Sequence, residues 1–380
     1  MKFELTEEHK YIKDTAKDFA ENEIAPSAVE RDIKAEFPTE IVKKLGELGF
    51  MGMMVSPDWG GAGMDTVSYV IAMEEISKVD ASVGVIMSVN NSLVCYGMEK
   101  WGTDTQKEKY LKPLAMGQKL GAFCLSEPEA GSDATQQRTE AVLKGDHYIL
   151  NGMKNWITNG TSADYYLIQA MTDKSKGYKG ITTFIVEKNF EGFEVGKKED
   201  KLGIRGSDTC SIGLNNCIVP KENVLGEEGL GFKIAMETLN GGRIGIASQA
   251  LGIAQASLEA SVRYSKERKA FNSPISNLQA IQFKLADMAM NTEASRLLIF
   301  NAALKKDAKL PFAKEAAEAK LFASKTAVNN ALEAIQVHGG YGYVREYLVE
   351  RFLRDAKITE IYEGTSEIQK IVIARDLLKD

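Results

Sequence analysis

Apolar residues near the start of the chain recur with the period of an amphipathic helix. Thr6 is placed to cap this helix, and the acidic residues after it favour the positive end of the helix dipole. Pro26 is expected to end it. The stripe falls at i, i+4, i+7, i+8 and i+12 and consists of Ile12, Ala16, Phe19, Ala20 and Ile24.

Three more helices are predicted before residue 120. One opens at Pro38 and closes on Gly49, a residue suited to a left-handed cap, and another covers 67–79. The stretch 82–98 is apolar on nearly every side, which is typical of a helix buried within a bundle. Its Asn90-Asn91 pair could line a ligand pocket, but buried amides with satisfied hydrogen bonds are the commoner case.

Near Gly121 the spacing changes to that of strands. Apolar runs on both sides of the turn Lys144-Gly145-Asp146 predict a hairpin, and Asn215-Asn216 separates two further runs. Strands are expected at 141–143, 148–150, 165–171, 181–186, 211–214 and 217–219.

Helical spacing returns after about residue 230. Ile281, Leu285, Met288 and Thr292 mark one long helix, and the Ala-rich stretch 313–337 predicts another. Helices, strands and helices follow one another, an order that cannot build an alternating βαβ sheet and predicts the α+β class. We expect three domains, a helical one at 1–120, a mostly antiparallel β domain at 121–228 and a helical one at 229–380.

Composition and charge exclude several classes of protein. The 380 residues carry 47 Lys plus Arg against 53 Asp plus Glu, so the basic excess of a nucleic-acid binder is missing. Four cysteines without CxxC spacing and three distant histidines disfavour a disulfide scaffold and a zinc site. The acidic start lacks a signal-peptide core, and the apolar stretch 244–258 is too short to span a membrane. We expect a cytoplasmic protein with neither a metal nor a membrane partner.

Glycine clusters are present but do not match a phosphate-binding fingerprint. Gly60-Gly61-Ala62-Gly63 does not join a strand to a helix, and Gly339-Gly340-Tyr341-Gly342 follows a helix, as a C-terminal cap does. A nicotinamide dehydrogenase of the Rossmann type is therefore disfavoured.

Other motifs are ambiguous when each is taken alone. The segment 126–133 is typical of a turn between domains, and 267–269 of a solvated charge run. A Trp on a strand, such as Trp156, usually belongs to a core. Glu363 follows two large apolar residues and precedes Gly364, so burial would raise its pKa toward that of a general base, although most lone glutamates lie on the surface.

Together these segments resemble, in order and across nearly the whole chain, the motifs of the acyl-CoA dehydrogenase family. The family's helical, β and four-helix domains agree with the helical, β and helical parts of the chain described above. The matching segments are Cys124-Leu125-Ser126-Glu127-Pro128 with Ala130-Gly131-Ser132-Asp133, Asn155-Trp156-Ile157-Thr158-Asn159-Gly160, Lys201-Leu202-Gly203-Ile204-Arg205, Glu267-Arg268-Lys269, Gln336-Val337-His338-Gly339-Gly340-Tyr341-Gly342 and Ile361-Tyr362-Glu363-Gly364-Thr365.

The resemblance implies FAD-dependent α,β-dehydrogenation of an acyl-CoA thioester. Glu363 matches the base that removes the α proton, while hydride leaves the β carbon for the flavin. The thioester oxygen would be held by the N–H of Glu363 and a ribityl hydroxyl, with the small Gly364 beside it. Residues expected at the cofactor of the same subunit are Phe123, Leu125, Ser126, Ser132, Trp156, Ile157, Thr158, Thr365 and Glu367.

The resemblance also implies an oligomer, because FAD in this family reaches a neighbouring subunit. A homotetramer built as a dimer of dimers is expected, with electrons passed to an electron-transferring flavoprotein. Residues expected to bind the FAD of the partner chain are Arg268, Phe271, Gln279, Gln336, Gly339 and Gly340.

The subclass is inferred from the segment Leu239-Asn240-Gly241-Gly242-Arg243. Some relatives carry their base at the position of Gly242, which leaves Glu363 here, and the segment resembles short-chain, butyryl-CoA-type members. Asn240 and Arg243 are the expected CoA contacts, with Ser132 near the pantetheine. Asn240 stands where Asp is common, which removes a charge from that contact.

Two other functions stay open at this point. One is an oxidase of the same fold, of the acyl-CoA or nitroalkane type, that hands its electrons to oxygen. The other is a non-catalytic helical scaffold, against which the presence of Glu363 and Arg268 argues.

Overall fold

The computed structural model describes residues 4–379. Its first part is helical, and π-helical turns at Ala20–Ile24, Val89–Cys95 and Lys107–Leu111 join successive helices end to end. The helices are α1 (Glu7–Phe19), α2 (Ala25–Lys34), α3 (Thr39–Glu47), α4 (Thr66–Val79), α5 (Ala81–Ser88), α6 (Tyr96–Trp101), α7 (Asp104–Gln106) and α8 (Lys112–Ala115).

Thr6 caps α1 as predicted, but the expectation that Pro26 ends the first helix is wrong. The Thr6 hydroxyl accepts from the N–H of His9. Pro26 instead lies in the first turn of α2, directly after the π turn, where the irregular hydrogen bonding tolerates a residue without an N–H. The helical path ends at Ala35, which has a left-handed φ of 52°.

The continuous rod formed by α5, a π turn and α6 is a core helix. Ala81–Trp101 is long and apolar enough to cross a membrane, yet 94% of its most apolar stretch is buried inside the protein. Asn90 donates to the carbonyl of Met51 and accepts from the N–H of Gly121, at 2.8 and 3.0 Å. The amides of this rod are therefore satisfied structural groups, as the commoner case predicts.

The middle part is one sheet with the strand order β6-β7-β3-β2-β4-β5-β8, and β1 pairs in parallel with β4. Most other pairings are antiparallel, as expected. The two strands predicted around Asn215-Asn216 are one strand, because Asn216 takes a positive φ of 51° without ending it. The strands are β1 (Gly121–Cys124), β2 (Glu140–Lys144), β3 (His147–Thr158), β4 (Tyr165–Met171), β5 (Ile181–Glu187), β6 (Phe193–Lys198), β7 (Thr209–Pro220) and β8 (Val224–Leu225).

Helices return after the sheet, so the predicted α+β class is confirmed. The central helix α9 is buried along much of its length and packs against α4, α10 and α11. The elements are α9 (Gly231–Glu267), the short strands β9 (Lys269–Ala270) and β10 (Ser273–Pro274), α10 (Gln279–Asp307), α11 (Ala313–His338), α12 (Val349–Ile358) and α13 (Ser366–Leu377).

Candidate active site

Glu363 lies in the turn between α12 and α13 and reaches the surface of α9 at Gly242. A Cβ added at Gly242 would lie 2.1 Å from Oε2 of Glu363 and 2.7 Å from Cδ2 of Leu93. No side chain larger than hydrogen fits there while the carboxylate keeps this position. The Gly242 backbone is thus the seat of the Glu363 carboxylate.

The Glu363 carboxylate is shielded from water and lacks hydrogen bonds. The residue as a whole is half-buried, but Oε2 is buried and has no partner among residues 4–379. Burial raises the pKa of Glu363 to about 7, against the opposing charges of Lys320 and Arg243. A carboxyl group with this pKa can both accept and release a proton near neutral pH.

The backbone of the base turn is strained and held from two sides. Glu363 has a φ of 51° and Gly364 one of 96°, so two successive residues are left-handed. Lys320 Nζ donates to the carbonyl of Gly364 at 2.7 Å, and Gln369 Nε2 donates to the same oxygen at 2.8 Å.

Sequence reasoning missed Lys320 and Gln369. Lys320 lies on α11 within the buried stripe that contains Ala316, Ala323 and Ala327. A lysine at a core position of an amphipathic helix is the signal that could have identified it, because lysine is almost never fully buried without a purpose.

Tyr362, directly before the base, is tied to the core. Its hydroxyl donates to Oε1 of Gln249 on α9, whose Nε2 donates to the carbonyl of Ala81 at 2.7 Å. One helical turn from Gly242, a Cβ at Gly245 would lie 2.6 Å from the Tyr69 hydroxyl. The base therefore lies above buried polar groups of α4, α5 and α9.

Arg243 and Asn240, the predicted CoA contacts, bond to each other at the same end of α9. Nη1 of Arg243 donates to Oδ1 of Asn240 at 2.6 Å, and Nε is buried without a partner in the described part of the chain. Burial lowers the pKa of Arg243 to about 10, although the charge of Glu363 opposes this shift. Arg243 is thus a cation near the base.

Two of the predicted cofactor segments lie side by side. We call residues 124–128 the Ser126 loop and residues 155–158, the bulged end of β3, the Trp156 loop. The N–H of Asn155 donates to the carbonyl of Ser126 at 2.8 Å. Beneath them, the buried Lys154 lies 2.7 Å from Oε1 of Glu127 and 2.9 Å from Oε1 of Gln137.

Trp156 does not belong to the core, contrary to the usual place of a Trp on a strand. It is 62% exposed and has a φ of 61°. A large aromatic ring exposed on strained backbone is available to stack against a ligand. Beside it are the half-buried Ser126 and Thr158, and this combination of a flat apolar face and hydroxyl groups fits an isoalloxazine ring.

The Trp156 side of the molecule is joined to the base by one helical rod. Leu93 contacts the seat of the Glu363 carboxylate, and the next residue, Val94, packs against Gly121 at the start of β1. Phe123, two residues after Gly121 on β1, packs against the same hydrophobic core.

A third group of predicted residues lines a separate cavity of about 500 Å³. Arg268, Gly339 and Gly340 lie there with Tyr264 and Tyr341, and the guanidinium carbon of Arg268 is 5.5 Å from the ring centre of Tyr341. The remaining residues predicted to bind the FAD of the partner chain are exposed in the same region. They are Phe271, Gln279 and Gln336, and Phe271 is 87% exposed.

The structure does not bring every predicted residue into these groups. Ser132 is exposed on the loop before β2. The Thr365 hydroxyl caps α13 by accepting from the N–H of Ile368 at 3.4 Å, and Glu367 is exposed in the first turn of that helix. Their predicted contacts with cofactor or substrate stay predictions.

The three parts of the chain match the family models for the N-terminal domain (residues 6–118), the middle domain (122–217) and the C-terminal domain (229–378) of acyl-CoA dehydrogenase. The chain therefore belongs to the acyl-CoA dehydrogenase family. It is an oxidoreductase of the class that depends on FAD, and the exposed Trp156 loop fits that cofactor.

The similar proteins include enzymes that act on short-chain acyl-CoA thioesters, by their descriptions. A protein of Clostridium acetobutylicum described as "Acyl-CoA dehydrogenase, short-chain specific" is 51% identical over 100% of both chains. The butyryl-CoA dehydrogenase of Megasphaera elsdenii superimposes with a TM-score of 0.98 at 50% identity, over 100% of both chains. A solved structure described as the electron transferring flavoprotein of Acidaminococcus fermentans contains a chain with a TM-score of 0.99 and 52% identity, again over 100% of both chains.

Proposed function

We propose that the protein converts short-chain acyl-CoA thioesters to trans-2-enoyl-CoA, with Glu363 as the base that removes the α proton. The observation that carries this proposal is the position of the Glu363 carboxylate, buried against Gly242 with Oε2 free of hydrogen bonds. Most buried carboxylates are paired or neutralised. One that is left unpaired is available for proton transfer.

Several residues of this chain contribute to the reaction. FAD, when bound, accepts the hydride that leaves the β carbon. Glu363 takes the α proton, and its raised pKa brings it near the working pH. The N–H of Glu363 has no hydrogen-bond partner among residues 4–379 and is free to donate to the thioester oxygen, where negative charge develops. Arg243 adds positive charge nearby.

The walls around the base support a short acyl chain. Tyr362 is fixed to Gln249, which is fully buried, and Tyr69 and Ser88 lie against Gly245 with their hydroxyls bonded at 3.2 Å. Each of these polar groups would lose a partner or meet hydrocarbon if a long chain extended past them, which costs free energy. This polar surround favours a short acyl chain over a long one.

Exposed apolar residues support the homotetramer. Along α10 the residues Phe283, Met290, Leu297 and Leu304 recur every seven positions and are 40–63% exposed. A continuous apolar stripe on a helix is typical of a surface that a second copy covers. We assign this face to subunit contacts, and Arg268, Phe271, Gln279, Gln336, Gly339 and Gly340 to the FAD of a partner subunit.

We further propose an electron-transferring flavoprotein as the electron acceptor, which the similarity to a chain in the Acidaminococcus fermentans structure supports. The competing function is an oxidase of the same fold. Protein reduced with butyryl-CoA should stay reduced in air for much longer than the time of one turnover. It should be reoxidised when the flavoprotein acceptor is added. Rapid oxygen consumption would instead identify the oxidase.

The decisive test of the base is Glu363→Gln in the FAD-loaded protein. The amide has nearly the shape of the carboxylate but cannot accept the proton, so we expect flavin reduction by butyryl-CoA to slow by about 10²–10⁴-fold or more while acyl-CoA still binds. Glu108→Gln, the same change in an exposed surface pair, is the matched control. Reduction by Glu363→Gln at the wild-type rate would refute the assignment.

A further inference from the structure

Lys320 is a buried cation for which neither the fold nor the proposed chemistry so far gives a use. Its side chain is fully buried on α11, and Nζ donates to the carbonyl of Gly364 at 2.7 Å. It forms no ion pair with a carboxylate in the part of the chain that the structure describes. Burying an ammonium with one neutral partner is costly, so a functional reason is required.

The bond from Lys320 fixes the backbone that carries the base. Glu363 and Gly364 are both left-handed, and such strain persists only where surrounding contacts enforce it. The Gly364 carbonyl accepts from both Lys320 and Gln369, the latter being fully buried as well. Without the lysine, one of the two contacts that hold Oε2 against Gly242 through the turn is lost.

The charge of Lys320 also acts on the Glu363 carboxylate. Burial lowers the pKa of Lys320 to about 8, against the opposing charge of Glu363, so the side chain is still cationic at neutral pH. Other charged or titratable groups near the pair are Arg243 on α9, Tyr69 on α4, Tyr362, Glu360 and Glu367. Among these groups, Lys320 and Arg243 are the cations that favour ionised Glu363.

We propose that Lys320 is a positioning residue for the base: its ammonium donates to the Gly364 carbonyl, which holds Glu363 on its seat at Gly242, and its positive charge favours the ionised form of that carboxylate. This inference rests on the proposed role of Glu363. It assigns to Lys320 a function that is exerted through the base turn.

The test compares pH profiles of kcat/KM for butyryl-CoA in FAD-loaded enzyme. Lys320→Met removes both the hydrogen bond and the charge, Lys320→Gln keeps a donor but removes the charge, and Lys325→Met on the exposed side of α11 is the control. Removing a nearby opposite charge raises the pKa of a carboxyl group. We expect the acidic limb to move upward by about one pH unit in both Lys320 variants, which is about a tenfold loss at acidic pH.

Comparison of the two Lys320 variants separates the effect of the hydrogen bond to Gly364 from the effect of the positive charge. Lys320→Met should show an additional loss of kcat at all pH values, whereas Lys320→Gln should lose less, and Lys325→Met should match the wild type. An acidic limb that stays at its wild-type position in the Lys320 variants would overturn the inference. If Lys320→Met does not bind FAD, Lys320→Gln decides, and a failure of both to fold would mark a structural role and overturn it equally.

Failure of this inference and failure of the proposed function are distinguishable. If Glu363→Gln reduces its flavin at the normal rate, the base assignment is wrong whatever Lys320 does. If Glu363→Gln is inactive while the Lys320 variants keep the wild-type limb, only the positioning role is wrong.

Discussion

The molecule contains two sets of a buried lysine and a nearby glutamate, and the two carboxylates differ in the hydrogen bonds that they accept. Beneath the Ser126 and Trp156 loops, Glu127 accepts from Lys154 at 2.7 Å and from the N–H groups of Arg138 and Thr139 at 2.7 and 3.1 Å. Burial raises the pKa of Glu127, but these partners outweigh it and hold the pKa below its usual range. At the base turn, Oε2 of Glu363 has no such partner, and burial keeps its pKa near 7.

This difference distinguishes a carboxylate that supports the fold from a carboxylate that can act as a base. Burial is common to both carboxylates, so it does not by itself create a base. The charge of Lys154 and the hydrogen bonds to Glu127 decide the outcome, because each of them stabilises the charged form and makes protonation harder. Glu127 is saturated and anchors two loops, whereas Glu363 is left unsaturated and its cation, Lys320, bonds to the neighbouring carbonyl instead.

The largest expected effect on stability comes from breaking the saturated pair. Lys154→Met leaves Glu127 charged and buried, and removing one partner of such a pair costs about 3–5 kcal/mol. We expect a lower thermal unfolding midpoint and loss of FAD, measured by calorimetry and flavin absorbance. Lys174→Met, in the exposed pair with Glu140, should cost at most about 1 kcal/mol. Equal costs for the two variants would remove the contrast between the sets.

A smaller effect is expected from filling the seat of the base. In Gly242→Ala the new methyl group collides with Oε2 of Glu363 and must displace it. A misplacement of about 1 Å can cost about 100-fold in rate, so flavin reduction by butyryl-CoA should slow by that order while FAD remains bound. Gly241→Ala is the matched control, because its Cβ would meet nothing closer than 3.7 Å. Equal rates for the two variants would show that the seat does not matter.

The smallest effect concerns stability at the unsaturated site. Glu363 has a higher pKa in the folded state than when unfolded, so the unfolded chain loses this proton first and the wild type loses stability as pH rises from about 4.5 to about 7. Glu363→Gln never ionises. It should therefore unfold at a midpoint higher than the wild type at pH 8, by roughly 2–4 °C, and show no such gain at pH 4. A gain at pH 4 alone would contradict the sign of the shift.

Much of the fold follows from local pattern, but the site follows from contacts that no local pattern contains. The period of 67–79 predicts α4 almost to the residue. The prediction that Pro26 ends the first helix fails because a π-helical turn precedes this residue and the helical path continues through α2. The motif around Glu363 identifies the base, yet its seat at Gly242 is distant in sequence, and the roles of Lys320 and Gln369 appear only when α11 and α13 meet the turn.

The most direct test of the central claim is the pKa of the Glu363 carboxyl group in substrate-free, FAD-loaded protein. Infrared difference spectra recorded across pH 4 to 9 for the wild type and for Glu363→Gln isolate the signal of this one side chain. We expect a carboxyl group that loses its proton near pH 7 and is missing from the variant. Ionisation near the ordinary glutamate value of about 4.3 would contradict the claim that Glu363 is a desolvated base.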